Sequence, residues 1–226
     1  MVDAYSGASK MYKVEYEDLA QRVHKLLKQM ILQGDLKSGQ RLAQDELAER
    51  LGVSRTPLLS AFSKLEREML VETIPRRGSF VRSYSHKELI DIYDIRLRLE
   101  PLGARGATEQ GTEAEIAELE RITDEYERII ATEDPGQVKE QDHEFHLALM
   151  CMSRNEFLRN IISSNNIILI ANIQGLLKSP AESLAQHRSI LAALRSRDPD
   201  VAEEQMYHHL FTSRASLVHS AVEEPS

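Results

Sequence analysis

In the stretch LAERLGVSRTPLLSAFSKLE, residues 47–66, apolar residues recur every three or four positions on both sides of Gly52. Leu47, Ala48 and Leu51 form one such set; Leu58, Ala61, Phe62 and Leu65 form the next, with Val53 between them. Spacing of this kind predicts two short helices, each burying one face. Gly52 permits the tight turn that joins them, since it adopts a left-handed backbone without steric cost. Ser54 is a suitable N-cap for the second helix, and Pro57 falls in its first turn, where a missing N–H costs nothing. A helix-turn-helix of this form sends its second helix into the major groove of a duplex. Ser54, Arg55 and Thr56 stand at the start of that helix, where backbone N–H groups suit a phosphate and Arg55 can pair bidentately with guanine.

Upstream, Leu19, Val23, Leu26, Leu27, Met30 and Ile31 predict an amphipathic helix that stops at Gly34. Downstream, LVETIPRRGSFVRSY, residues 70–84, alternates around PRRG and predicts a two-stranded hairpin with a basic tip. Residues 16–84 therefore predict a winged helix-turn-helix, with Arg76, Arg77, Gly78 and Lys64 adding phosphate or minor-groove contacts. Residues 1–15 are polar and without period, and are expected to be a mobile arm.

Beyond Ser85 the pattern is helical throughout, with six helices expected near 86–108, 113–132, 135–152, 155–177, 181–197 and 199–220. The fold class is thus mostly α: a winged helix-turn-helix (16–84) followed by an antiparallel six-helix bundle (85–220) and a frayed tail (221–226). Charge divides the same way. Residues 16–84 hold 12 Lys+Arg against 9 Asp+Glu, whereas residues 85–226 hold 14 against 25. A polyanion is therefore met by the front of the chain. IILIANIQGLL, residues 167–177, is too short for a membrane span, and the start lacks the apolar core of a signal peptide. One cysteine, Cys151, excludes an internal disulfide. The expected compartment is the cytoplasm.

Three bundle helices aim polar residues along apolar stripes. Val138, Asp142, Phe145, His146 and Leu149 share one face; Leu184, His187, Leu191 and Leu194 another; Met206, His209, Leu210 and Ser213 a third. A lone core histidine usually bonds a backbone carbonyl, and Asp142 could simply pair with Arg or Lys. One divalent ion bound by Asp142, His146, His187 and His209 would relieve four costly burials at once. The donor types suit zinc, nickel, manganese or iron(II). His143 and His208 point elsewhere and read as ordinary side chains; His24, His86 and His219 have no supporting pattern.

The front segment ILQGDLKSGQRLAQDELAERLGVSRTPLLSAFSKLEREMLVETIPRRGSFV closely resembles the DNA-binding domain of GntR-family bacterial transcription regulators. The resemblance implies operator contacts from Arg55, Thr56, Arg77 and Gly78. It departs at Leu59, where the family usually places a DNA-contacting Arg, and at Ser60, where an acidic residue is usual. IYDIRLRLEPLGARGAT, DHEFHLALM, QHRSILAALRSRD and MYHHL look like segments of the FCD ligand-binding domain of the FadR branch, in its VanR-like six-helix type. That likeness implies zinc or a related divalent metal at Asp142, His146, His187 and His209, and a small carboxylate effector beside Arg96. Arg96 otherwise pairs with Glu100 or Asp142. The expected function is a metabolite-responsive regulator, a repressor in the first instance, acting as a homodimer on a double-stranded operator. The alternatives are a metal-dependent hydrolase or oxygenase, and a regulator with a purely structural ion. No evident general base or nucleophile accompanies the histidines, which disfavours an enzyme.

Overall fold

The structure is a computed structural model that describes residues 19–173 and 177–223. The expected arm, residues 1–15, and the last residues of the expected tail, 224–226, lie outside the described residues. The front unit contains α1 (Leu19–Gln33), α2 (Gln44–Leu51), α3 (Arg55–Arg67), β1 (Val71–Ile74) and β2 (Gly78–Val81). Gly52 closes α2 at φ +63°, in the left-handed region. Ser54 occupies the N-cap position of α3 with extended backbone, but its side chain makes no capping hydrogen bond. The hairpin pairs Val71 with Val81 and Ile74 with Gly78, and Arg76 and Gly78 turn its tip at positive φ. Leu27, Leu58, Leu65, Leu70 and Val81 meet in a core with no exposure. Leu19 and Leu26 are exposed, contrary to the sequence stripe, because α1 directs only its Val23, Leu27 and Ile31 side against the core.

The helical unit contains α4 (His86–Gln110), α5 (Glu113–Ile130), α6 (Pro135–Met152), α7 (Glu156–Ser164), α8 (Ile167–Ile173), α9 (Pro180–Arg195) and α10 (Pro199–Glu223). Reciprocal capping boxes, Ser85 with Glu88 and Thr112 with Glu115, start α4 and α5, and Asp134 caps α6. The helix expected over 155–177 is interrupted, so six expected helices become seven segments among the described residues. Asn166 adopts φ +50°, and the Asn165 side chain bonds back to the Ile161 carbonyl. Asparagine tolerates that backbone and competes for local carbonyls, which ends α7 and lets α8 start in a new direction.

α4 runs through the middle of the unit and packs on α6, α8, α9 and α10. Gly103 lets α4 and α6 approach closely, because a Cβ there would lie 2.2 Å from Met150 Cε. The two units share one continuous apolar core, with α1 packed on α6 and α8. Gln33 and Gln29 of α1 donate to Glu140 of α6, at 2.8 and 3.3 Å. Among the described residues no helix is long and apolar enough to cross a membrane.

Candidate metal centre and nucleic-acid interface

α6 carries Asp142 and His146 one turn apart, α9 carries His187 and α10 carries His209, all buried. The structure brings the four together, each offering an atom within 4.8 Å of the others. His146 Nε2 and His209 Nε2 are 3.2 Å apart; Asp142 Oδ1 lies 3.6 Å from His187 Nε2, and Oδ2 lies 4.0 Å from His146 Nε2. His187 is stacked flat on Phe145, with ring centroids 3.8 Å apart, and neither of its ring nitrogens has a hydrogen-bond partner. A fully buried imidazole with both nitrogens unsatisfied is an exception that an ion would explain. The residues therefore fit a divalent cation: one carboxylate and three imidazoles converging on one point.

Around them stand polar groups that orient Asp142, His146 and His209, as metal-binding residues usually require, while His187 is held by its stacking on Phe145. Asn172 Nδ2 donates to Asp142 Oδ2 at 2.9 Å and Ser183 Oγ to Oδ1 at 3.1 Å. Glu100 Oε2 lies 2.6 Å from His146 Nδ1, and Gln186 Oε1 lies 2.9 Å from His209 Nδ1. These contacts leave the Nε2 atoms of His146 and His209 facing each other. Burial pushes His187 down to about 3 and His209 well below its ordinary value, so both are neutral at physiological pH. Burial alone would raise Asp142, but the neighbouring His146 and Arg96 and the Asn172 hydrogen bond outweigh it and hold the carboxyl low.

Arg96 is fully buried and uses Nε and Nη2 on Glu100, at 2.5 and 3.3 Å. Glu100 is held at about 2: burial opposes ionisation, and Arg96 and then His146 overcome it. Arg96 also lines a pocket with Tyr93, Asp142, His146, Lys178 and Ser213. About 10 Å³ is open there, room for roughly one water. Lys178 Nζ donates to the His209 carbonyl at 2.5 Å and to Thr212 at 2.9 Å, and burial lowers it to about 8.

On the front unit, Ser54, Arg55 and Thr56 are exposed at the start of α3, and Arg76 and Arg77 are exposed at the wing tip beside Gly78. Arg55 Nε meets Asp45 Oδ1 at 2.5 Å, with both side chains about two-thirds exposed. Leu59 is exposed one turn further along the same face. Lys64 is half-buried and donates to Gln21 of α1 at 2.8 Å, so it braces α3 against α1.

Sequence reading missed Asn172, Ser183, Gln186 and Lys178, and it saw Glu100 only as a partner for Arg96. The i, i+4 spacing to Arg96 was the one available signal for Glu100. His143 is half-buried and His208 exposed, both outside the four-residue cluster. His24, which no pattern singled out, is buried with Nε2 2.9 Å from Glu68.

Residues 19–81 match the bacterial regulatory proteins of the gntR family, and residues 91–212 match the FCD domain. The chain is 31% identical over 190 residues to the uncharacterized HTH-type transcriptional regulator YdhC of Bacillus subtilis (strain 168), covering 81% of this chain and 84% of that protein. It is 32% identical over 195 residues to the Nta operon transcriptional regulator of Aminobacter aminovorans, covering 83% and 90%. Among solved structures, E. coli McbR/YncC superposes with a TM-score of 0.79 at 25% identity, over 90% of this chain and 99% of that one. The exposed α3 start and the wing fall within the first match and most of the helical unit within the second: the chain belongs to the gntR family of bacterial regulatory proteins, a metabolite-responsive, DNA-binding transcription regulator with an FCD domain.

Proposed function

We propose that Asp142, His146, His187 and His209 hold one divalent ion, zinc by preference, and that a small organic acid docks beside it at Arg96. The observation that carries this reading is His187, fully buried with two unbonded ring nitrogens among three other potential ligands. When bound, the ion supplies a Lewis-acidic contact for a carboxylate oxygen. Arg96 spends Nε and Nη2 on Glu100, which leaves its other terminal nitrogen for the acid. A pocket with room for one water does not admit an organic acid as it stands. Binding therefore selects a more open arrangement, and an effector with different affinity for two arrangements shifts their balance. The test is a thermal-shift screen of small carboxylic acids on zinc-loaded protein. A hit is expected to stabilise the loaded wild type and not Asp142→Asn; equal stabilisation of both would remove the metal from the effector site.

We assign DNA reading to residues 16–84, and effector binding and dimerisation to residues 85–220. The contacts to DNA are assigned to Ser54, Arg55, Thr56, Arg76, Arg77 and Gly78, with Lys64 in a supporting place. Exposed apolar side chains on α4 (Ile95, Leu102) and α7 (Phe157, 83% exposed) support pairing with a second copy, and Leu158 of α7 reaches Gly103 of α4. Footprinting is expected to show two half-sites about one helical turn, or a multiple of it, apart. Arg55→Ala is expected to weaken specific binding by about 1–3 kcal/mol at unchanged folding. Phe157→Glu is expected to leave the fold intact and abolish the paired footprint. Normal affinity in Arg55→Ala would move base reading elsewhere.

A further inference from the structure

We propose that α8 couples the Asp/His cluster to the recognition helix α3, with Asn172 as its contact at the cluster and Asn166 as its contact at α3. The coupling rests on the metal reading above and adds the route by which occupancy reaches the DNA-binding unit. α8 is a seven-residue apolar helix, Ile167–Ile173, preceded by Asn166. Ile167, Ile168, Leu169, Ile170 and Ala171 are all buried, so the helix is packed on every side. Asn166 and Asn172 are buried as well, and polar amides in such a place are costly unless bonded.

Both are bonded, and to different units of the protein. Asn172 Nδ2 donates to Asp142 Oδ2 at 2.9 Å. Asn166 Nδ2 donates to the Glu68 carbonyl at 3.3 Å and to Glu68 Oε2 at 3.1 Å. Glu68 is the C-cap of α3, so Asn166 holds the far end of the helix whose start carries Arg55 and Thr56. The same carboxylate takes His24 Nε2 at 2.9 Å and Lys28 Nζ at 3.4 Å, both from α1. One side chain thus ties α1, α3 and the start of α8 together.

α6 also touches both units, through Glu140 with Gln29 and Gln33 of α1. α6 is an uninterrupted eighteen-residue helix that carries two of the four clustered ligands. Any movement of α6 would carry Asp142 and His146 with it, so α6 serves as the frame. α8 contributes no ligand and is joined to α7 by a left-handed residue at Asn166, and it can shift along the frame when Asp142 reorients. Asp142 Oδ2 is the atom Asn172 holds. A carboxylate that turns to engage an ion changes that contact first, and a rigid helix passes the shift to Asn166 and Glu68.

A purely structural role, in which Asn166 caps α8 and Asn172 orients Asp142, makes a different prediction. Hydrogen–deuterium exchange of the full chain, with zinc alone as the probe, separates the two. Zinc is expected to change exchange across residues 55–67 of the wild type by on the order of fivefold or more. Asn166→Gly retains the left-handed backbone and removes the amide. It is expected to bind zinc with unchanged stoichiometry and affinity, while zinc no longer alters exchange across α3. Glu68→Gln, which removes the charge shared with His24 and Lys28, is expected to reduce the same response, with exchange in α5 reporting that the fold is intact. A wild-type zinc response in Asn166→Gly overturns the coupling, as does zinc binding to the wild type with no change in α3. A wild type that binds no zinc removes the metal reading, and the coupling with it.

Discussion

Zinc at about a thousand times its Kd is expected to stabilise the chain by about 4 kcal/mol. For a chain of this length that corresponds to a rise in melting temperature of roughly 8–16 °C. The gain has a specific origin, because His187 satisfies neither ring nitrogen and Asp142 is buried among three imidazoles. His187→Ala is expected to lose most of the zinc response while costing the metal-free protein far less, since it deletes unsatisfied polar atoms along with the ring. The metal-free protein is also expected to be acid-sensitive. His187 is held at about 3 and His209 well below 6.5, so below pH 6.5 the unfolded chain takes up protons that the folded chain refuses. Stability is therefore complete above pH 6.5 and falls as the pH drops toward 3, by about 1.4 kcal/mol per pH unit for each histidine. Zinc should lift the upper part of that curve and be released within the same window. Melting curves between pH 5 and 8, with chelator and with zinc, measure both effects; superimposable curves would sink the site.

Arg96→Ala is expected to destabilise the protein by about 3–5 kcal/mol whether or not an effector is present. Arg96 and Glu100 form an ion pair one turn apart on α4, with essentially no exposure. Truncating Arg96 leaves Glu100 charged and buried with only His146 beside it. Loss of effector response in that variant would then report a damaged fold as readily as a missing anion contact. The informative variant is Arg96→Met combined with Glu100→Gln, which removes both charges and keeps a hydrogen-bond acceptor for His146. It is expected to recover most of the stability and still fail to respond to a carboxylic acid. Urea midpoints give the stability arm and thermal shifts the effector arm. An Arg96→Ala protein within 1 kcal/mol of wild type, the scale of an exposed ion pair, would mean that the buried pair contributes no more than a surface one.

The turn at Gly52, the hairpin around PRRG and the inward faces of α6, α9 and α10 were legible in the sequence because each depends on neighbours within a few residues. A helical period places Asp142, His146, His187 and His209 on buried faces whatever the rest of the bundle does, and all four are buried. Local signals also had limits. Ser54 has the right residue type and backbone for a cap yet caps nothing, and Leu26 shares an apolar period yet is exposed. The double asparagine at 165–166 broke a helix that apolar periodicity alone would have continued.

Other features belong to the tertiary structure. Which donor orients which ligand depends on contacts such as Asn172 on Asp142 and Gln186 on His209, between helices whose relative rotation no local pattern encodes. The same holds for His24 and Asn166, which acquire meaning only because α1, α3 and α8 converge on Glu68. The sequence determined which residues point inward, since that follows from the period of one helix. The packing of several helices decided what each of those residues meets there, and so which polar groups are satisfied and which are left to bind something else.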